Sequence, residues 1–268
     1  MSFTLEIQLH ADALDAMKGY LTRALPDVKS SHRCEALARG FAFRTYAAMK
    51  AAASDLSADG TLRATGEHFT DYLREQGFEV APVAFYRAAA LAALLSVHAR
   101  EPLLTVWGMG VGELRRHDDG RWETYDERMT RVAEARAELV ADSSTEAFLL
   151  ALALVQRLTP TTTVRPGSGS YKLKHIAENY VCDYPGGGRL GPRYVSNGLL
   201  IAAAVHAGYR HSGSLNRNGF HDINVNFNMS KRAVVDLDCE VRPDGAAAQD
   251  RRAREAWRRT PSYYRAAY

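Results

Sequence analysis

The chain has 268 residues, of which 46% are hydrophobic and 24% are charged. This length is enough to bury a core in one large domain or two smaller ones, and the composition excludes a chain that is disordered throughout. A formal net charge of +3 excludes an acidic mimic of DNA, but so small a value does not by itself indicate nucleic-acid binding.

Cysteine usage and hydropathy place the protein in a reducing, aqueous compartment. Cys34, Cys182 and Cys239 are too few and too far apart for a disulfide framework, so we expect reduced thiols and a cytoplasmic location. The longest apolar runs, 88–97 and 147–155, are too short to cross a bilayer, and no secretory signal is expected, so no membrane partner is predicted. The sequence has no CxxC pair and predicts no zinc or other cofactor.

Helical periodicity dominates the first part of the chain. Helices are predicted at 11–25, 32–39, 43–54, 67–76, 83–100, 126–140 and from residue 143 or 144 to 158. Gly40 is expected to end the second helix in the left-handed conformation. The Ala-rich helix at 83–100 is apolar around most of its circumference and is therefore the predicted core helix. Asp119-Gly120, within 103–125, predicts a β-hairpin.

The second part of the chain mixes helix and strand patterns. Helices are predicted at 170–180 and 198–207. Hydrophobic residues alternate with asparagines at 223–227, which predicts a strand, and 233–241 is its predicted partner strand.

A boundary is predicted at 159–169, which is rich in Thr, Pro, Gly and Ser. The predicted fold is therefore α+β. A mainly helical region at 1–160 is followed by a smaller mixed helix-and-strand region at 165–242 and by an Arg- and Tyr-rich tail at 243–268.

The residues around Gly40 have the spacing of a DNA-binding helix-turn-helix. Ala36 and Gly40 correspond to the small residue that lets two helices approach and to the glycine of the turn. In this interpretation Arg44 and Lys50 face phosphates, and a helix-turn-helix at 32–54 serves a transcriptional or plasmid regulator. A plain helical hairpin uses the same two small residues, so both interpretations stay open.

Basic residues of the second part suggest contacts with anions. Lys172 and Lys174 lie in GSGSYKLKH, where a predicted helix begins and its free N–H groups favour a phosphate. A flexible linker with an ordinary serine cap gives the same pattern, and the order of a Walker A loop is absent. Lys231 and Arg232 form a further basic pair that we assign to the same class of contact.

The tail interleaves arginines with aromatic residues, the types enriched at interface hot spots and at nucleic-acid surfaces. Partner or nucleic-acid contacts are predicted there for Arg251, Arg252, Trp257, Arg258, Arg259, Tyr263 and Tyr264. The alternative is a helix at 246–259 whose apolar edge, Ala253 and Trp257, packs on the protein's own core.

Possible metal ligands lack a recognisable spacing, and we predict no metal site. The residues concerned are Cys182, His206, His211, His221, Asp222 and Cys239. Asp236, Asp238 and Glu240 alternate along the predicted strand at 233–241 and would share one face, as a nuclease that binds Mg²⁺ requires. A solvated outer face of the strand explains the same alternation.

Two segments resemble proteins of mobile genetic elements. The segment Ser30–Met49, SSHRCEALARGFAFRTYAAM, resembles small helical modules near the N-termini of proteins from plasmids and integrative elements. The block at 171–234, marked by YKLKHIAE, YVSNGLLIAAAVHAGY, an Asn-rich strand and Ser-Lys-Arg, resembles segments of further mobile-element proteins. The resemblance implies an accessory protein of a plasmid or phage and implies no catalytic residue.

Together these features favour a non-enzymatic interaction protein, because the sequence presents neither a nucleophile–base pair nor a convincing metal site. The expected partner is a host protein or ribonucleoprotein complex that handles nucleic acid. The most specific hypothesis is an anti-CRISPR, an inhibitor that binds Cas subunits which normally hold RNA or DNA. The alternatives are the DNA-binding regulator and, after it, the metal-dependent nuclease.

Overall fold

Helices make up most of the fold in the computed structural model, which describes residues 2–54 and 60–259. The α-helices are α1 (Ala11–Ala24), α2 (Ser30–Gly40), α3 (Tyr46–Ser54), α4 (Gly66–Glu75), α5 (Val83–Arg100), α6 (Tyr125–Leu139), α7 (Thr145–Val155), α8 (Ser170–Ala177), α9 (Asn197–His206), α10 (Lys231–Val241) and α11 (Ala246–Arg259). A 3₁₀ turn, Asp142–Ser144, precedes α7.

The strands of the described residues are short and form two-stranded pairs. They are β1 (Glu6–Gln8), β2 (Thr61–Arg63), β3 (Leu104–Thr105), β4 (Gly108–Met109), β5 (Cys182–Asp183), β6 (Arg189–Leu190), β7 (His211–Ser212) and β8 (Asn226–Phe227). Each of the pairs β1–β2, β3–β4, β5–β6 and β7–β8 is antiparallel; in the first, Ile7 lies opposite Leu62. The fold is α+β and dominated by helices, which confirms the predicted fold class.

The core is built on α5, α7 and α9, which pack against one another. Every residue of α7 except Glu146 is buried, as is most of α5, because these helices are apolar on nearly all sides and leave no face for solvent. α1 covers α5 from one side, and α2 packs on α4. Buried residues from both sides of the predicted boundary at 159–169 belong to one continuous hydrophobic core.

Local end signals set several helices as the sequence predicts. α5 begins after Pro82 and spans Val83–Arg100, the predicted range. The Ser196 hydroxyl caps α9 by accepting a hydrogen bond from the backbone N–H of Leu199, and Gly208 follows that helix with φ +84°. At the predicted turn Asp119-Gly120, a bridge between Arg116 and Trp122 closes the hairpin.

Gly40 has a different role from the predicted one. It is the last residue of α2, and the left-handed conformation falls instead on Ala42, with φ 63°. A Cβ atom at Gly40 would lie 2.4 Å from the ring of Phe85. The glycine is therefore needed for the close approach of α2 to the core helix α5 and not for the turn.

The predicted strand at 233–241 is wrong, because this segment is the helix α10. The Ser230 hydroxyl caps it by accepting from the N–H of Ala233, and Val234, Leu237 and Asp238 are buried at helical spacing. Asp236, Asp238 and Glu240 consequently do not share the face that a nuclease site would require. The predicted strand at 223–227 is reduced to the two residues of β8.

His206, near the end of α9, makes the stability of the fold depend on pH. Its ring lies edge-on to Phe148, with centroids 5.6 Å apart, and burial, assisted by the charge of Arg100, lowers its pKa from 6.5 to about 4. The unfolded chain therefore takes up this proton at a higher pH than the folded chain does. Lowering the pH from 6.5 to 4 should reduce the free energy of unfolding by up to about 3 kcal/mol.

Urea unfolding at several pH values measures this dependence, and His206→Gln provides the comparison because other titrating groups are common to both proteins. The difference between the two free energies of unfolding should change through that window. Curves that stay parallel would contradict the assignment.

Candidate nucleic-acid interface

A groove of about 590 Å³ lies between α8, α10 and α11. Its cationic residues are Lys172, Lys231, Arg232, Arg251, Arg254 and Arg258. Its carboxylates are Asp236, Asp250 and Glu255. We call this surface the basic groove. Five of its six cations, all except Arg254, are residues that the sequence analysis assigned to contacts with a partner or with nucleic acid.

The N-terminus of α10 adds to the positive potential of the groove. Lys231 and Arg232 occupy its first turn, which has no acidic residue. The unpaired N–H groups at a helix N-terminus carry a partial positive charge, so two cations there cost stability instead of providing it. The side chain of Lys231 extends over Gly167, where a Cβ atom would lie 3.4 Å from its Cε. The GSGS loop predicted to hold an anion thus lies against the predicted Lys231–Arg232 pair.

Carboxylates of α10 connect the walls of the groove. Asp238 is 2% exposed and binds Arg242 at 2.6 Å and Lys172 at 3.3 Å, which fixes α8 beside α10. Asp236 forms an ion pair with Arg251 and thereby holds α11. These contacts explain why residues distant in sequence converge on a single surface.

Several groove cations are weakly engaged. The side chains of Arg232 and Arg254 are 92% and 78% exposed, and each has one carboxylate partner at 3.8 Å. Exposed ion pairs of this kind contribute little energy, so a phosphate can replace the partner at small cost. For Lys231 the described residues provide no carboxylate partner within ion-pair distance. Lys231, Arg232 and Arg254 are therefore available to bind an anionic ligand.

Other predicted contact residues lie outside the groove. Lys174 is 8% exposed, and its ammonium binds the carboxylate of Glu178 at 3.0 Å. Arg44 and Lys50 are exposed. Arg44 lines a separate depression of about 410 Å³, next to Arg39 and Tyr72.

In the tail, α11 forms the helix of the alternative interpretation, but the packing of its apolar edge on the core, part of the same alternative, is wrong. Ala253 and Trp257 are both exposed, and Ala248 is the one buried residue of this helix as described. Arg252 donates to the carbonyl of Pro243 at 2.9 Å, and Arg259 is exposed at the helix end. Tyr263 and Tyr264 lie outside the described residues.

The sequence did not single out Arg254, Tyr171 or Tyr194 as contact residues. Arg254 shares a helical face with Arg251 and Arg258, a spacing that the sequence already contains. Tyr171 and Tyr194 flank the ammonium of Lys174, with ring centroids 5.6 and 5.2 Å from its Nζ. Tyr171 stands three residues before Lys174 on α8, but Tyr194 has no local signal because it reaches Lys174 only through the tertiary fold.

The side chains that could take part in catalysis include the potential metal ligands and the Cys182 thiol. Within residues 2–54 and 60–259, no group of three or more His, Cys, Asp or Glu side chains is arranged to hold a metal ion. Burial raises the pKa of the Cys182 thiol to about 11, which keeps it protonated and a poor nucleophile near neutral pH. In the same part of the chain, no helix has the length and apolar character needed to cross a membrane.

Comparison with protein-family models, curated proteins and solved structures gives no match. Functional inference therefore depends on the side chains of this surface and on their physical chemistry.

Proposed function

We propose that this protein is a non-enzymatic binding protein that attaches to a nucleic-acid-containing complex of the host through the basic groove. The observation that carries the proposal is the convergence of six cations from three helices on this one surface. Lys231 and Arg232 stand where they oppose the helix dipole, a placement that a binding role explains and a stabilising role does not.

The length of the groove favours a phosphate backbone over a small anion. Along α11, groove residues run from Ala247 to Arg258, which corresponds to about 16 Å at ~1.5 Å per residue. Successive phosphates of one nucleic-acid strand are spaced by a few ångström, so several of them span this distance. A single phosphate ion would use only a small part of such a distributed set of cations.

The most specific form of the proposal is inhibition of a CRISPR–Cas complex. It follows from the expectation, drawn from residues 30–49 and 171–234, that the protein belongs to a mobile genetic element, and it is supported by the charge of the groove. A basic surface suits the RNA or DNA carried by such a complex better than the basic Cas surfaces that hold it. We therefore propose that the nucleic-acid component is what the groove contacts.

Neutralising the groove should weaken binding and its salt dependence. In Lys231→Gln/Arg232→Gln/Arg254→Gln, three cations are lost, and the slope of log K against log salt should decrease in magnitude by about 2 if all three contact phosphates of a single strand. Fluorescence anisotropy with a labelled random-sequence strand at a series of salt concentrations measures the slope. Inhibition is then measured as the rate of target cleavage by a reconstituted CRISPR–Cas complex with and without the protein.

Arg44→Gln/Lys50→Gln is the matched control because it removes exposed cations from the predicted helix-turn-helix. We expect it to bind like the wild type. If this control loses affinity while the groove variant keeps it, the DNA-binding regulator is favoured and the groove proposal is rejected. A wild-type protein without salt-sensitive affinity for nucleic acid also rejects it.

A further inference from the structure

Two exposed tyrosine rings lie around one lysine of α8, the helix that also contributes Lys172 to the basic groove. Tyr171 on α8 is 58% exposed and Tyr194, just before α9, is 70% exposed. Aromatic rings of this size are costly to leave in water, since burying such a side chain stabilises a protein. Both rings face the same ammonium, that of Lys174, so they belong to one local arrangement.

The arrangement is held in place before any ligand binds. Lys174 binds Glu178 at 3.0 Å, and Nδ1 of His175 lies 2.7 Å from the other oxygen of Glu178. Burial opposes the charge on Glu178 most strongly, but the hydrogen bonds from Lys174 and His175 together lower its pKa below the ordinary value. Tyr171 is further fixed by its perpendicular contact with the His175 ring, with centroids 4.6 Å apart.

Lys174 supports the rings and is poorly placed to receive a ligand itself. Its ammonium is enclosed by Glu178 and by the two ring faces, which attract a cation electrostatically. Tyr171 and Tyr194 nevertheless remain more than half exposed. A flat ring that is oriented from within and open to solvent binds another flat group with little loss of conformational entropy.

The groove and this arrangement share the helix α8. Lys172, which lines the groove, is the residue after Tyr171 on α8. Their side chains point about 100° apart around the helix. Because their Cα atoms are only about 3.8 Å apart, a strand that leaves the groove at Lys172 can reach the rings within a few nucleotides. Only unpaired bases have faces available for stacking on side chains, because the bases of a duplex are already stacked on one another.

We propose that Tyr171 and Tyr194 form a stacking platform for unpaired bases, so that single-stranded nucleic acid is the preferred ligand of the basic groove. This inference rests on the proposed function, since the groove supplies the phosphate contacts. The platform supplies a contact with bases that does not depend on their sequence, because every base has a π-face.

An abasic strand separates stacking from phosphate binding. Labelled oligothymidine and an abasic strand of equal length carry the same phosphates, and wild-type protein should bind oligothymidine more tightly. Tyr171→Ala/Tyr194→Ala should lose roughly tenfold in affinity for oligothymidine, within the range that base–aromatic stacking gives, and should bind the abasic strand unchanged. Tyr171→Phe/Tyr194→Phe keeps both rings and should retain the wild-type preference.

Tyr125→Ala is the matched control, because Tyr125 is 73% exposed on α6 and lies outside the platform and the groove; we expect no change of affinity. If the double alanine variant still prefers oligothymidine as the wild type does, the platform is rejected while the groove proposal stands. If it weakens binding of both strands equally, the rings act through the structure and the platform is again rejected. If wild-type protein shows no salt-sensitive binding to either strand, the proposed function fails and the platform fails with it.

Discussion

Replacing Gly198 by alanine should destabilise the protein by roughly 4 kcal/mol, enough to unfold a domain of ordinary stability. A Cβ atom at this position would lie 1.8 Å from the carbonyl oxygen of Thr105 and 2.8 Å from the carbonyl group of Val106. Both neighbours are backbone, which cannot rotate away as a flexible side chain can. The N–H of Gly198 also donates to the carbonyl of Val106 at 3.0 Å, so relieving the clash breaks this hydrogen bond.

The surrounding contacts prevent a small shift from relieving the clash. The Asn197 side chain donates to the carbonyls of Trp107 and Ile223, and the Thr105 hydroxyl donates to that of Gly110 at 2.6 Å. The start of α9 is therefore bonded to the β3–β4 turn from several directions. Moving α9 outward would break the two hydrogen bonds of Asn197 and open a cavity next to the core.

Urea unfolding followed by circular dichroism measures the effect. Gly19→Ala is the matched control, because Gly19 is also helical but a Cβ there would contact only the end of Arg23, at 3.4 Å. Alanine is the better helix former, so this control should gain about 0.5–1 kcal/mol. Equal urea midpoints for Gly198→Ala and the wild type would show that the close approach of α9 to the turn is not required.

Replacing Arg136 by alanine should lower the free energy of unfolding by about 3 kcal/mol. Its guanidinium donates to four backbone carbonyls at the end of the core helix α5 and just after it. Arg136 donates hydrogen bonds to the backbone carbonyls of His98, Glu101, Pro102 and Leu104, at 2.6–2.9 Å. The last carbonyls of a helix have no partner within it and carry a partial negative charge, which favours a cation at this position. Removing the side chain deprives all four carbonyls of this donor, although that of Glu101 also accepts from the N–H of Leu104 at 3.1 Å.

Arg136→Lys should recover only part of the loss, since an ammonium cannot reach four carbonyls that a planar guanidinium spans. Arg100→Ala is the control from the same helix end. Its guanidinium makes one 3.4 Å hydrogen bond, to the carbonyl of Ser96, and we expect a change within about 0.5 kcal/mol. The interpretation is wrong if Arg136→Ala and Arg100→Ala reduce the free energy of unfolding by similar amounts.

Helices with local signals were predictable from the sequence, and α10 shows where such signals fail. For α5 and α9, a continuous apolar run begins after a Pro or a Ser, and in α9 it ends before a Gly. All of these signals predict the same helix. In 233–241 the apolar residues fit both periods: Val235 and Leu237 alternate with acids, whereas Val234 and Leu237 lie on one helical face. Packing of Val234 and Leu237 into the core decides between the two, and no local pattern contains that information.

Five of the six cations of the basic groove were predictable from the sequence, but their grouping into one surface was not. Charge and local motif singled out Lys172, Lys231 and Arg251, which the structure brings to the basic groove. Their convergence depends on the buried carboxylate of Asp238 and on the pairing of Asp236 with Arg251, contacts between helices that are separated along the chain. The role of Arg136 is equally tertiary, because its acceptors belong to residues 98–104, more than thirty positions earlier.

The helix α11 forms one wall of the basic groove but contributes little to the hydrophobic core. The helix is joined to the rest of the protein by ion pairs and hydrogen bonds more than by apolar surface, since Ala248 alone is buried among its described residues. Substitutions along it therefore have little effect on folding, while each one changes the charge pattern that a ligand meets. The sequence of this helix can therefore change rapidly as the partner changes. Substitutions at Gly198 and Arg136, in contrast, are removed by selection because they destabilise the fold.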